Sequence, residues 1–272
     1  MKSSYYKYFA ALLLFGSNGI VASNINLPSY EIVLLRLLLG SLFLITVFTV
    51  SRQRFTFYRN KHTCLYLFIS ASAMGASWML LYEAYQQVGI SIASLAYYCG
   101  PVIVMILSPF LFRETLTWPK IAGFLTVLAG MCLVNLQALD EGKTIWGLFC
   151  GLMSAFMYAL MVTANKKAKP ESGLENSLLQ LVIGSFIVVA FVSMQKNFVL
   201  SLTTIDWIPV LLLGLLNTGI GCYLYFSSIT DLPVQTVAIC GYLEPLSAVV
   251  FSVLFLHEVP VSYTHLTLPT IA

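Results

Sequence analysis

Apolar residues gather into nine long runs along the chain, separated by short polar connections. The runs cover 8–26, 31–50, 64–82, 91–112, 119–138, 144–164, 176–194, 206–228 and 234–256. Each is close to the ~20 residues a helix needs to cross a bilayer. A membrane β-barrel would show segments of ~10 residues with alternating polarity, and these runs are too long and too continuous for that. The last run breaks its own pattern. Within "CGYLEPLSAVVFSVLFLHE", Cys240–Glu258, a carboxylate at Glu244 directly precedes Pro245, an ionisable group beside a helix breaker.

Composition supports the membrane reading. Hydrophobic residues make up 59% of the 272 and charged residues only 9%, against about 25% charged in soluble domains. Too few charges exist to cover a water-facing surface. Lys and Arg stay on the cytoplasmic side of membrane proteins. With the N-terminus inside, eleven basic residues fall on inner segments, two (Lys143 and Lys196) on outer segments, and Arg36 within a span. That bias fits nine crossings of the cytoplasmic membrane, N-terminus cytoplasmic. The net charge of +3 is scattered, so it gives no support for a nucleic-acid partner. Cys64, Cys99, Cys132, Cys150, Cys222 and Cys240 all lie in spans without CxxC spacing, so packing is expected of them. His62, His257 and His265 form no ligand set, and no metal is expected. The basic, then apolar start has no marked cleavage site, and a retained first helix is expected.

Sliding the sequence over itself by 144 positions brings Pro101 onto Pro245, Glu114 onto Glu258, Tyr98 onto Tyr242 and Ser108 onto Ser252. Upstream, Glu31 meets Glu175, Gly40 meets Gly184 and Ser41 meets Ser185, with no gap. Leucine matches are cheap in such a chain; proline, glycine and glutamate at one shared offset are not. The expected fold is an all-α polytopic membrane protein of two five-helix repeats. Five is odd, so the second copy inserts upside down, the inverted arrangement of many secondary transporters. The repeats are placed at 1–138 and 144–261. A tenth helix should follow Glu258, but "VPVSYTHLTLPTIA" has no run able to cross. Residues 262–272 are therefore expected to be a non-native or disordered tail in place of that helix.

"GPVIVMILSPFLFRETLTWPKIAGFLTVLAG", with Pro101 and Glu114, and its echo "EPLSAVVFSVLFLHE" resemble the EamA-like family of the drug/metabolite transporter superfamily. "FGSN" at Phe15–Asn18 and Arg36 in the second run are similar to that family's first two helices. The resemblance spans Phe9 to about Val261 and implies a ten-helix carrier of small metabolites with both termini cytoplasmic. It departs from the family at the missing tenth helix, and it names no substrate.

Glu244 is the sharpest site candidate. An ionisable group in a span is costly unless it faces protein or water. At helical spacing it shares a face with Cys240, Gly241, Ser247 and Ala248, and Pro245 frees the carbonyl of Gly241. A proton-coupling group or a contact to a substrate amine is one reading; a structural hydrogen bond is the plainer one. Arg36 could meet a substrate carboxylate, snorkel, or pair with Glu83, which is expected to end the third helix. Gly214, Asn217, Gly221 and Tyr225 form a stripe, matched in the first copy by Ser70, Ala73 and Ser77. Such small residues usually serve close packing. Asn217 and Asn18 are its polar points and are candidates for substrate contact. Trp78, Tyr97, Tyr98 and Tyr242 are candidate cavity walls, Tyr98 and Tyr242 above all because the repeat relates them. Pro101, Pro245, Glu114 and Glu258 are given structural roles, Glu114 at the start of the fifth helix. Gly147 and Gly151 make a GxxxG, a weak hint of a homodimer.

Neither GxxxxGK[ST] nor GxGxxG occurs. No cofactor is expected, and flux would run on an ion gradient, exchange or a downhill gradient. The leading expectation is a secondary transporter of small polar metabolites, amino acids among them, working by alternating access with export favoured. A membrane-embedded enzyme would need paired catalytic groups at one depth, and no histidine lies in a span. A non-transporting scaffold or channel is the third reading.

Overall fold

The structure is a computed structural model and describes residues 2–25, 27, 29–119, 121–123, 125, 126, 129, 145–194 and 207–255. Its helices are α1 Lys2–Gly16, α2 Asn18–Ser23, α3 Ser29–Val50, α4 Lys61–Tyr97, α5 Cys99–Phe112, α6 Ile145–Ala168, α7 Gly173–Met194, α8 Trp207–Leu211, α9 Gly221–Ile229, α10 Val234–Gly241 and α11 Leu243–Phe255. A π-helix, Leu212–Ile220, joins α8 to α9. Among the described residues, seven stretches are long and apolar enough to cross a membrane: Tyr30–Val50, Lys61–Gly89, Ile92–Phe112, Ile145–Ala168, Gly173–Met194, Trp207–Ile229 and Val234–Phe255. The chain is a multi-pass membrane protein. The expected fifth span, Glu258 and the 262–272 tail lie outside the described residues.

The distribution of polarity is that of a protein in lipid. Phe68, Phe110, Phe186, Ile208 and Leu254 are exposed, while Ser70, Ser77, Ser154, Asn165, Asn176, Gln180 and Gln235 are buried. With no water in the hydrocarbon, buried polar groups must bond to one another. Asn165 and Asn176 exchange amide hydrogen bonds of 2.9 and 3.1 Å, and Asn176 also donates to the Phe226 carbonyl. Ser77 and Ser154 tie α4 to α6, each donating to the other's carbonyl. Ser70 donates to the carbonyl of Met161. The first-copy stripe is therefore a packing face. Gly151 is pressed against α4, where a Cβ would stand 2.8 Å from that of Ala96. Gly147 is buried beside it. The GxxxG is used inside the chain and offers no free dimer face.

Two expected boundaries move. The first span is broken at Ser17, between α1 and α2. The third helix does not end at Glu83 but runs on to Gly89, where φ 78° and ψ 163° interrupt α4. Only glycine adopts that backbone cheaply. Glu83 instead accepts from Gln87 Nε2 and Trp146 Nε1, at 3.1 and 3.3 Å.

One end of the bundle collects the N-terminus and the segments 51–60, 113–118, 166–173 and 230–233. Glu175 accepts from Thr56 N, Thr56 Oγ1 and Phe57 N, at 2.5, 2.6 and 3.0 Å. Lys166 Nζ donates to the carbonyls of Ile229, Thr230 and Leu232 that end α9. Ser4 donates to Asp231 at 2.8 Å. Glu114 corrects an expectation: its carboxylate accepts from Val234 N and Gln235 N, at 2.7 and 3.0 Å. It caps α10, about 120 residues away, not the fifth helix. A carboxylate on first-turn amides satisfies orphan donors and meets the positive end of the helix dipole.

Replacing Glu114 with alanine strands both amides, so melting in detergent should show a loss of about 1–3 kcal/mol, partly recovered by glutamine. Gly89→Ala should cost a similar ~1–3 kcal/mol from backbone strain alone, because nothing stands within 4 Å of its Cβ position. Gly19→Ala, equally open but helical, is the control and should leave the melting temperature unchanged or raised.

Candidate functional site

The site is built around two breaks in the helices. Proline has no N–H and clashes with the carbonyl four residues back. Pro101 stands third in α5 and Pro245 third in α11. The span containing each is interrupted just upstream, at Tyr98 and at Tyr242, single residues between consecutive helices. These breaks touch: Tyr242 Oη donates to the Tyr98 carbonyl at 2.9 Å. Tyr242, 1% exposed, is thereby a hinge pin packed into the core, where the sequence suggested a cavity wall. Pro101 and Pro245 are buried beside it.

Glu244 lies in the first turn of α11. Cys240 and Gly241 end α10 and Ser247 lies in α11, on either side of the kink at Tyr242. Ser247 donates to the Glu244 carbonyl at 2.8 Å, and its side chain closes against Gly16 of α1. The Glu244 carboxyl keeps part of its surface and makes no hydrogen bond among the described residues. Three residues before it, the Cβ position of Gly241 lies 3.6 Å from the Tyr8 hydroxyl and 3.7 Å from the Tyr158 hydroxyl. These tyrosines interlock. Tyr97 meets Tyr158 edge-on with ring centroids 5.5 Å apart. The hydroxyls of Tyr158 and Tyr225 lie 3.4 Å apart. Tyr225 packs on Tyr8 at 5.6 Å and on Phe15 at 5.8 Å. The equivalent position in the first half, Gly100, has no room for a side chain: a Cβ would stand 2.7 Å from Tyr158 Cδ1.

Arg36 on α3 is 9% exposed. Its guanidinium carbon sits 4.4 Å from the centre of the Trp78 ring, within cation–π range. It forms no ion pair with Glu83, which bonds elsewhere. Arg36 and Trp78 are thus brought together.

Asn217 and Asn18 are also brought together, but with each other. Asn217 Nδ2 donates to the Leu14 carbonyl, Ser17 Oγ and Asn18 Oδ1, at 2.8, 2.9 and 2.9 Å. The pair clamps the α1–α2 break to the π-helix. Gly214 and Gly221 pack against Leu39 and Phe15, and only Tyr225 of that stripe joins the tyrosine cluster. Sequence reasoning missed Tyr8, Tyr85 and Tyr158. Their signal was a phenol deep in an apolar run, where the hydroxyl needs a partner; Tyr8 finds the Val237 carbonyl at 2.8 Å.

A profile of the EamA-like transporter family matches residues 3–136 and 145–271. The chain belongs to the EamA-like transporter family. Among its relatives, an uncharacterized transporter of Bacillus subtilis, YxxF, is 27% identical over 256 residues, covering 92% of this chain and 80% of its own length. The biotin transporter of Salmonella typhimurium is 20% identical over 204 residues, covering 74% and 68%. A crystal structure of a protein superposes with a TM-score of 0.79 at 17% identity, over 96% of this chain and 90% of its own, which shows a shared fold. The EamA-like chain is thus a membrane protein of a transporter family whose interior holds a tyrosine-lined, charge-bearing cluster.

Tyr242→Phe removes the bond that joins the two breaks and leaves the Tyr98 carbonyl a donor short. It should lower stability by about 1–2 kcal/mol, read as a lower melting temperature. A variant as stable as wild type would show that proline geometry alone holds the breaks together.

Proposed function

We propose that this protein is a secondary transporter, with no enzymatic activity, that moves small polar solutes across the cytoplasmic membrane by alternating access. The N-terminus lies in the cytoplasm and export is the favoured direction. The observation that carries this reading is an unbonded carboxyl, Glu244, inside a tyrosine-lined cluster where two broken helices cross. A discontinuous helix at mid-membrane is how many carriers present polar groups to a cargo.

Several observations support two inverted repeats, 1–138 and 144–261, with 262–272 as a tail outside them. One family profile matches each half separately. Residues 144 apart meet in space: Ser41 and Ser185 hydroxyls are 3.1 Å apart, and Tyr242 bonds to Tyr98. Such pairs lie near an axis relating the halves, and rocking about it opens the cluster to one side and then the other. The end that gathers the N-terminus also carries Arg52, Arg54, Arg59, Lys61, Arg113, Lys167 and Lys169, which supports its cytoplasmic placement. The Salmonella relative, named a biotin transporter, supports a cargo in the small-metabolite range.

Glu244 is the coupling group in this reading. Trp78, Tyr98, Asn18 and Asn217 stand around the same region, Asn18 and Asn217 as a mutual clamp at its edge. In proteoliposomes, a panel of labelled solutes should reveal saturable, competable flux driven by an imposed pH gradient. Glu244→Gln should abolish the response to that gradient by tenfold or more while counterflow exchange persists. Unchanged proton dependence would remove coupling from Glu244, and unsaturable flux in the wild type would sink the carrier reading.

A further inference from the structure

A cavity of about 200 Å³ lies at the basic end of the bundle and shares no residue with the tyrosine cluster. It stands between the first turn of α4, at Asn60 to Thr63, and the residues that close α6, Lys167 to Lys169. Lys61 opens one span there and Ala168 closes another, so the cavity is at the depth of lipid headgroups. Its walls are fixed. Thr63 Oγ1 donates to the Ala168 carbonyl at 2.9 Å, and Asn60 Oδ1 accepts from His62 N at 2.9 Å.

Arg59, Lys167 and Lys169 bring three cations to the lining, and His62 adds a ring that can donate. Glu171 and Glu175 also line it. The Glu175 carboxylate is already met by Thr56 N, Thr56 Oγ1 and Phe57 N. Among the described residues, Arg59, Lys167 and Lys169 make no hydrogen bond and no ion pair, with either acid or elsewhere. Cations gathered round one small space repel one another, and an anion placed among them turns that repulsion into attraction. The volume is too small for a drug-sized molecule, which needs about 300 Å³ or more, and ample for a single phosphate group. Farther along α4, toward the interior of the membrane, Leu65 and Phe68 are exposed, as side chains that face acyl chains are. Tyr58, beside Arg59, is exposed as well, an amphipathic ring of the kind favoured at a lipid surface.

We propose that this cavity binds the phosphate of an anionic phospholipid whose acyl chains run down the exposed face of α4. Arg59, Lys167 and Lys169 hold the phosphate oxygens through charge-assisted bonds, and basic pockets between membrane helices suit such headgroups. The start of α4 adds the positive end of its dipole. Arg59 and His62 come from the first matched half, Lys167 and Lys169 from the second, so the bound lipid ties the two halves together at this end. The site goes beyond the transport reading and does not depend on it.

Native mass spectrometry of the purified full chain in detergent, titrated with one lipid at a time, tests this. Phosphatidylglycerol should bind about tenfold or more tightly than phosphatidylcholine, and it should raise the melting temperature. Lys169 has a left-handed backbone, φ 47°, the conformation glycine usually takes after a helix. Lys169→Gly therefore removes a cation without harming the turn. It should fold at least as stably and bind phosphatidylglycerol about fivefold more weakly. Arg113→Gly is the matched control. Arg113 has the same backbone, φ 56°, and lies at the same end of the bundle but outside the cavity, so binding should stay unchanged. Glu171→Gln removes an opposing charge and should tighten binding. Inorganic phosphate at millimolar concentration separates a lipid from a soluble anion, and it should raise the melting temperature less than the lipid does. The proposal is overturned if phosphatidylcholine binds as tightly as phosphatidylglycerol, if Arg113→Gly weakens binding as much as Lys169→Gly, or if Glu171→Gln fails to tighten it. Inorganic phosphate that stabilises the protein as fully as the lipid would also overturn it, because the cavity would then serve a soluble anion. None of these outcomes touches the transport reading, whose own failure is read in flux.

Discussion

The missing N–H of a proline organises this structure. Pro101 and Pro245 cannot donate to the helical ladder, so each span breaks a few residues upstream. The break at Tyr242 is joined to the break at Tyr98 through the tyrosine hydroxyl, at 2.9 Å. That contact does two things. It brings together two places where backbone polarity has been released inside an apolar bundle. It also places Glu244 in the first turn after the kink at Tyr242, where the backbone stays in the right-handed helical region.

Chemistry enters where the matching positions differ. At Gly100 any side chain would strike the Tyr158 ring, which lies over the α5 start. At Glu244, the corresponding residue, a side chain is accommodated, and its carboxyl makes no hydrogen bond among the described residues. The shared features, the prolines and the paired tyrosines, fix the geometry. The unshared ones, Glu244, Arg36 and Tyr158, give the interior its charge and its shape. One pattern thus serves as scaffold, and single departures from it serve as site.

Much of this was legible in the sequence. Long apolar runs marked the seven described crossings, all but the end of the third to within a few residues, because hydrocarbon imposes their length. The offset of 144 and the acid before Pro245 were visible as residue types that composition does not supply by chance. Other features were hidden for a common reason: the partner lies far along the chain. Glu114 precedes a helix start at Pro119, yet its carboxylate belongs to α10. Arg36 looked like a mate for Glu83, yet it stacks on Trp78. Gly147 and Gly151 looked like an outward face, yet both are buried and α4 covers Gly151. Capping and packing signals are read locally, and in a bundle the nearest neighbour in space decides them. The π-helix at Asn217 had no local signal, since its extra residue per turn is stabilised by the bonds Asn217 makes across to α1.

The charged groups sort into two kinds by how completely they are bonded. Glu114, Glu175 and Lys166 sit at the basic end of the bundle, and each satisfies several backbone groups of another segment. Removing such a group strands donors or acceptors, so its function is to hold the fold. Arg36 and Glu244 lie in the interior, and among the described residues neither side chain makes a hydrogen bond or ion pair, although Arg36 stacks on Trp78. They do not hold another segment's backbone groups as the first three do. An interior that stacks one charge on an indole ring and leaves the other partly accessible is the part of this chain that the proposed transport reading draws on.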